Sequence, residues 1–202
     1  MIYLNDDIEK LDLSAALCRV TPQRAAYAQR YRQQLDQRLS LAVYLLLMEG
    51  LEKEYGITEL PDLLFGPHGK PTLKGHPDIH FNLSHCRRAA LCVISDQPVG
   101  CDVECVPDEL DMDLCHYCFN DEEIASIVGS NHPTQTFTSF WTRKESFLKF
   151  TGEGLTHNLP SLFIGSQADN IYFRTIVSPD KSYVYTVCKG IKNDTRKAIC
   201  PV

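Results

Sequence analysis

The stretch from Thr21 to Gly56 is the feature that most limits what this chain can fold into. Thr21 can cap a helix and Pro22 tolerates a first turn. Apolar residues then recur at Tyr27, Tyr31, Leu35, Leu39, Val43, Leu46, Leu47 and Leu51, which is helical spacing. Gly56 can adopt the left-handed conformation that ends a helix. One continuous helix over this range is expected, decorated by Arg24, Arg30, Arg32 and Arg38.

The region 61–80 is punctuated by Pro and Gly and reads as loops with short extended pieces. Strand-like runs follow at Ile79–Leu83, Ala89–Ile94 and Val99–Val103. A shorter helix capped at Asn120-Asp121 is expected through Ile124 and Ile127. Thr134 to Phe150 is again helical by pattern, carried by Phe137, Phe140, Trp141, Phe147 and Leu148 and stopped by Gly152 and Gly154. Leu162–Ile164, Ile171–Ile176 and Tyr183–Cys188 look like strands. The class is α+β in two parts, residues 1–97 and 98–202, joined near 96–100.

Charge excludes some functions. The net charge is −6, with eleven Lys/Arg against twelve Asp/Glu over residues 1–98 and nine against fourteen beyond. That balance argues against broad nucleic-acid binding, which needs a basic face. Acids at Asp6, Asp7 and Glu9 exclude a signal peptide, and the longest apolar run, Leu41–Met48, is too short to span a bilayer. The protein is expected to be soluble, cytoplasmic, free of membrane contact and monomeric. Its nine cysteines are expected to be reduced. Cys101, Cys105, Cys115 and Cys118 fall close enough in sequence for a zinc site, though buried or surface thiols are the plainer reading.

Four groups of residues could carry chemistry. Asp102 and Glu104, two apart on a strand, send both carboxylates to one face, where they need solvent or a cation; Mg²⁺ takes such oxygen ligands. Taken alone, such a pair is more often a solvated strand edge. Trp141, Glu145 and Lys149 stand four apart on a helix and share one stripe, with Lys144 rotated by about a hundred degrees. That spacing suits either a surface ion pair or a carboxylate and a cation at a phosphate. Asn82, Ser84 and His85, in FNLSH, sit where a strand gives way to a loop, a common place for ligands. Lys70 stands in a stiff Gly-Lys-Pro loop that could meet an anion.

In order, the chain shows GKP, FNLSH, GCDVE, FNDEE and WTRKESFLKFTGEGL. This series resembles the 4′-phosphopantetheinyl transferase superfamily, in its longer, surfactin-synthetase-activating branch. The block Trp141–Leu155 matches the family's W-x-x-K-E-[AS]-x-x-K-x-x-G-x-G-L pattern at every fixed position. The chain departs at Asn120, where the family's F-[ST]-x-x-E motif has a hydroxyl residue, and at Cys101, where a Val or Ile is usual.

The resemblance implies a pseudo-dimer of two similar α+β subdomains with the active site in the cleft between them. It implies transfer of 4′-phosphopantetheine from coenzyme A to a serine of an apo acyl or peptidyl carrier protein, releasing adenosine 3′,5′-bisphosphate. Asp102, Glu104 and Glu145 would hold Mg²⁺, and Glu145 would take the serine proton directly or through a metal-bound water. Lys149 would face the diphosphate, and Lys144 would support it or touch phosphate. Ser84 and His85 would contact coenzyme A phosphates, with Lys70 near the adenine and 3′-phosphate end and Arg30 and Arg38 at the 3′-phosphate. The carrier, itself acidic, is expected on a patch involving Arg87, Arg88, Tyr117 and Phe119. A Mg²⁺-dependent hydrolase of nucleotide diphosphates, a non-catalytic carrier-binding relative and a zinc-stabilised module are the competing readings.

Overall fold

The computed structural model describes residues 1–66, 68–154, 159–163 and 170–190. Pro67, Leu155, Ile164 and Cys200 lie outside the described residues. Three antiparallel sheets are present among the described residues. The first joins β1 (Ile2–Asn5), β5 (Ala90–Ser95) and β4 (His80–His85), in the order β1-β5-β4. The second is a short hairpin of β2 (Leu63–Phe65) and β3 (Pro71–Leu73). The third is β6 (Val99–Cys105), β8 (Tyr183–Gly190) and β7 (Ile171–Val177), in the order β6-β8-β7. The class is α+β.

The expected long helix is two helices. α2 (Pro22–Ala28) starts at Thr21, whose hydroxyl accepts from Arg24 N at 3.1 Å. α3 (Gln34–Tyr55) ends on Gly56 at φ +67°. Residues 29–33 between them are exposed and bury no apolar side chain, so nothing rewards a continuous axis there. The Tyr27 and Tyr31 rings that suggested continuity meet each other edge-on, 6.1 Å apart, facing solvent. α2 turns back on α3 through Arg24, which donates to the Ser40 carbonyl and hydroxyl and lies over the Tyr44 ring. Between Leu39 and Leu51 one face of α3 is buried against Phe81, Cys92 and Ile94 of the first sheet.

β1 and the helices α1 (Leu13–Cys18) and α4 (Met112–Cys118) had no clear sequence signal. α5 (Asp121–Val128) and α6 (Pro133–Thr151) complete the helices. No strand forms at Leu162 and Phe163, which are turn residues after a 3₁₀ turn over Leu159–Ser161, with Phe163 at φ +73°. Leu162 and Phe163 instead pack with Phe147 in the core that α4, α5 and α6 share with β7 and β8. A third core joins the first and third sheets, setting Leu91 and Val93 against Val99, Cys101, Val103 and Val187. β6 is therefore covered on both sides, and Asp102 is only 2% exposed, unlike a solvated strand edge. Among the described residues no helix is long and apolar enough to cross a membrane.

Candidate active site

The site forms where β4, β6 and α6 meet. β4 and β6 are edge strands of different sheets, joined by side chains: Cys101 N donates to Asn82 Oδ1 at 2.8 Å and Val103 N donates to Ser84 Oγ at 3.4 Å. α6 lies directly on β6 because Gly100 has no side chain. A Cβ there would sit 2.1 Å from the Ser146 carbonyl oxygen and 2.4 Å from Phe150 N. Glycine inside a strand commonly marks such a close approach. Buried hydroxyls fix α6 to β8 as well, with Thr142 and Thr186 Oγ atoms 2.8 Å apart.

This contact lays Trp141, Glu145 and Lys149 along β6. Lys149 Nζ donates to Asp102 Oδ1 at 2.6 Å and to Ser84 Oγ at 2.9 Å, while Ser84 Oγ donates to Asp102 Oδ1 at 2.8 Å. The Trp141 indole N–H lies on the Glu104 side and favours its ionised form. Asp102 Oδ2 and Glu145 Oε1 are buried without a hydrogen-bond partner. Burial and then the Asp102 charge, with Glu145 adding, push Glu104 up to about 7, against the pull of Lys149 and Trp141. Burial and Asp102 also raise Glu145, with Lys149 opposing. Burial alone would lower Lys149; Asp102, as charge and as acceptor, outweighs it and holds the ammonium above its ordinary range.

Three carboxylates thus face one ammonium, and two of their oxygens are buried and unpaired. Such a set favours another cation, and hard oxygen donors suit Mg²⁺. Among the described residues no three His, Cys, Asp or Glu side chains are already gathered as a metal cage. The carboxylates stand near one another without converging on a point.

A cavity of about 270 Å³ opens beside Glu145, lined by Lys70, Asn82, Glu145, Lys149, Gly152 and Gly154 among others. It brings together the GKP loop, the FNLSH strand and the α6 block. Lys70 turns its ammonium on the end of α6, donating to the Lys149 and Phe150 carbonyls at 2.6 and 3.0 Å. It thereby caps the negative end of that helix. His85 ends β4 exposed at its surface, yet the surrounding protein and then Lys149 lower its pKa.

Other expected site residues stand elsewhere. Lys144 is 0% exposed, and all three of its donors are used, by Glu123 Oε2 at 2.8 Å and the Leu159 and Cys118 carbonyls at 2.7 and 3.0 Å. The hundred-degree rotation that separates it from Glu145 points it into the α4–α5 side, away from the cavity. Arg30 lies in the exposed link between α2 and α3. Arg38 Nε donates to the Leu11 carbonyl at 3.0 Å. Neither lines the cavity.

Asn120 works as a cap despite lacking the hydroxyl: its Oδ1 accepts from Glu123 N at 2.9 Å, and Asn120 N donates to Glu123 Oε2 at 3.0 Å. Phe119, expected on a docking patch, is 2% exposed and packs edge-on against Phe137 at 5.5 Å. Tyr117, Arg87 and Arg88 are exposed. Cys115 and Cys118 sit in one apolar core and Cys101 in another, so the four thiols do not converge. Asn82 and Gly100 were not singled out for the roles they hold. The one available signal for Gly100 was a glycine inside a strand run, two residues before a carboxylate.

The family model for the 4′-phosphopantetheinyl transferase superfamily matches residues 98–200. The chain is 26% identical over 172 residues to 4′-phosphopantetheinyl transferase Sfp of Bacillus subtilis, covering 83% of this chain and 76% of that protein. It is 30% identical over 172 residues to 4′-phosphopantetheinyl transferase gsp of Aneurinibacillus migulanus, covering 76% and 71%. It is 33% identical over 101 residues to 4′-phosphopantetheinyl transferase AcpT of Salmonella typhimurium, covering 48% and 52%.

Proposed function

The chain belongs to the 4′-phosphopantetheinyl transferase superfamily, and from that premise we propose that it moves 4′-phosphopantetheine from coenzyme A to a serine of an apo acyl or peptidyl carrier protein, releasing adenosine 3′,5′-bisphosphate. The observation that carries this reading is the cluster of Asp102, Glu104 and Glu145 around Lys149, with Asp102 Oδ2 and Glu145 Oε1 buried and unpaired and an open cavity beside Glu145 and Lys149.

We read residues 1–97 and 98–202 as two α+β subdomains of a pseudo-dimer, with the β4–β6 seam as the floor of the cleft between them. Asp102, Glu104 and Glu145 would hold Mg²⁺, which when bound neutralises charge on the diphosphate of coenzyme A. Lys149 supplies a fixed positive charge to the leaving phosphate side, held in place by Asp102 and Ser84. Glu145 is also the carboxylate that would accept the proton of the attacking serine hydroxyl. Lys70 lines the cavity with its ammonium turned onto the Val99, Lys149 and Phe150 carbonyls, and His85, at the end of β4, would meet coenzyme A from outside it. Lys70 also fixes the end of α6, so it positions Lys149 as well.

The test is to incubate the full chain with coenzyme A, Mg²⁺ and a panel of apo carrier proteins, then weigh the carriers by mass spectrometry. A carrier heavier by one phosphopantetheine arm is the expected result. Coenzyme A cleaved with no carrier gaining mass would favour the hydrolase reading. Coenzyme A intact and every carrier unchanged would favour the non-catalytic one.

A further inference from the structure

β4 and β6 run parallel at their seam, and hydrogen bonds fix the register. Asn82 meets Cys101 twice, through Cys101 N at 2.8 Å and through Cys101 Sγ, which donates to the Asn82 carbonyl at 3.3 Å. Ser84 meets Val103 at 3.4 Å. Each pair is 19 residues apart in sequence. The same offset, carried one residue past the end of β4 to where Cys86 pairs with Ala89 in the turn, sets Cys86 against Cys105 at the end of β6.

Side chains alternate along a strand, so Cys105 emerges on the face of Cys101 and Val103. Cys86 belongs to the apolar cluster that holds Cys101 and Val103, and Cys105 packs against it. The two thiols are close enough to perturb each other electrostatically, and both are free. A disulfide needs its Cβ atoms within roughly 3.5–4.5 Å of each other, an approach open to two free thiols that share one cluster.

We propose that Cys86 and Cys105 are an oxidisable dithiol that closes into a disulfide across the seam, between the neighbours of His85 and Glu104. The oxidant is a hydroperoxide. Cys105 is partly exposed and Cys86 is 8% exposed, so Cys105 reacts first. Its sulfur attacks a peroxide oxygen, the O–O bond breaks, and Cys105 becomes a sulfenic acid as one water leaves. The Cys86 sulfur then attacks the Cys105 sulfur and the S–O bond breaks. The departing hydroxide takes the Cys86 proton as a second water. Two thiols lose two electrons, and one hydrogen peroxide becomes two waters.

The bond would close a ring of 20 residues, 86 through 105, and tie the first sheet to the third. In the chain-entropy account, a cross-link of this size raises the melting temperature of a protein of this length by roughly 5–10 °C.

The experiment treats the full chain with a small excess of hydrogen peroxide, alkylates the remaining thiols and maps the peptides by mass. The expected result is a Cys86–Cys105 peptide lighter by two hydrogens, with a raised melting temperature that dithiothreitol reverses. Cys86→Ala and Cys105→Ala keep small side chains at these positions and should each lose the link and the rise, whereas Cys18→Ser should keep both. Alkylation of both cysteines in oxidised, folded protein would overturn the proposal. So would a link from Cys105 to any other cysteine, or a rise that survives in Cys86→Ala.

Discussion

Lys149 Nζ and Asp102 Oδ1 lie 2.6 Å apart, and the Ser84 hydroxyl touches both, so one ion pair ties α6 to β6 and, through Ser84, to β4. Breaking it from one side strands a charge. Asp102→Ala should abolish carrier modification and cost about 2–4 kcal/mol of stability, because Lys149 loses its counter-charge in a half-buried place. Adding Lys149→Met should restore part of the stability and none of the activity. Urea unfolding and the carrier mass assay read the two effects, and an active Asp102→Ala protein would refute the site.

Glu145 behaves differently, since its Oε1 has no partner to lose. Glu145→Gln removes a buried charge while keeping the shape, so stability should hold or rise. Transfer should fall by about 100-fold or more. A parallel loss of stability and activity would mean that the residue is structural.

Gly100 is where packing and chemistry meet. Gly100→Ala puts a methyl against the Ser146 carbonyl and Phe150 N, and backbone cannot yield cheaply. It should cost about 1–3 kcal/mol and lower activity by roughly tenfold, because lifting α6 carries Glu145 and Lys149 away from Asp102. Gly56→Ala is the contrast: no atom lies within 4 Å of the new Cβ, and only the positive φ is strained. Stability should fall by about 1 kcal/mol with activity unchanged.

Glu104, held up to about 7 against an ordinary 4.5, sets the pH response. Between those values the folded chain binds more protons than the unfolded one, so its stability falls as pH rises from about 4.5 to 7. Glu145 is shifted the same way and adds to the trend. Thermal melts across this range should show the decline. Glu104→Gln should flatten it, and added Mg²⁺ should flatten it with proton release. A slope unchanged in Glu104→Gln would refute the assignment.

Arg87 and Arg88 are exposed at the turn after β4, while Phe119 is buried and unavailable. Reversing both arginines to Glu should raise the KM for an acidic carrier with little change in kcat. Unchanged carrier kinetics would remove this turn from the docking surface.

Much of the fold was legible because it rests on local signals. The αL glycine after Tyr55, the Pro/Gly punctuation before β4, the capping pair Asn120 and Glu123, and the spacing of Trp141, Glu145 and Lys149 are written within a few residues each. The misreadings share one cause. Tyr27 and Tyr31 keep the helical period but face solvent, and Phe119 sits in an acidic stretch yet is buried. Periodicity reports where apolar residues recur and says nothing of what covers them. Lys144 illustrates the same limit: one residue from Glu145 in sequence, it points into a different core.

By itself the sequence determined which groups this protein carries and which of them share a helix stripe or a strand, since those depend only on 3.6- and 2-residue periods. Only the tertiary structure decided which of them meet. Asp102 and Lys149 are 47 residues apart and Ser84 and Lys149 are 65, and no local period spans such distances. Their meeting depends on α6 settling onto a strand that has no side chain at Gly100, a contact governed by the space between backbones.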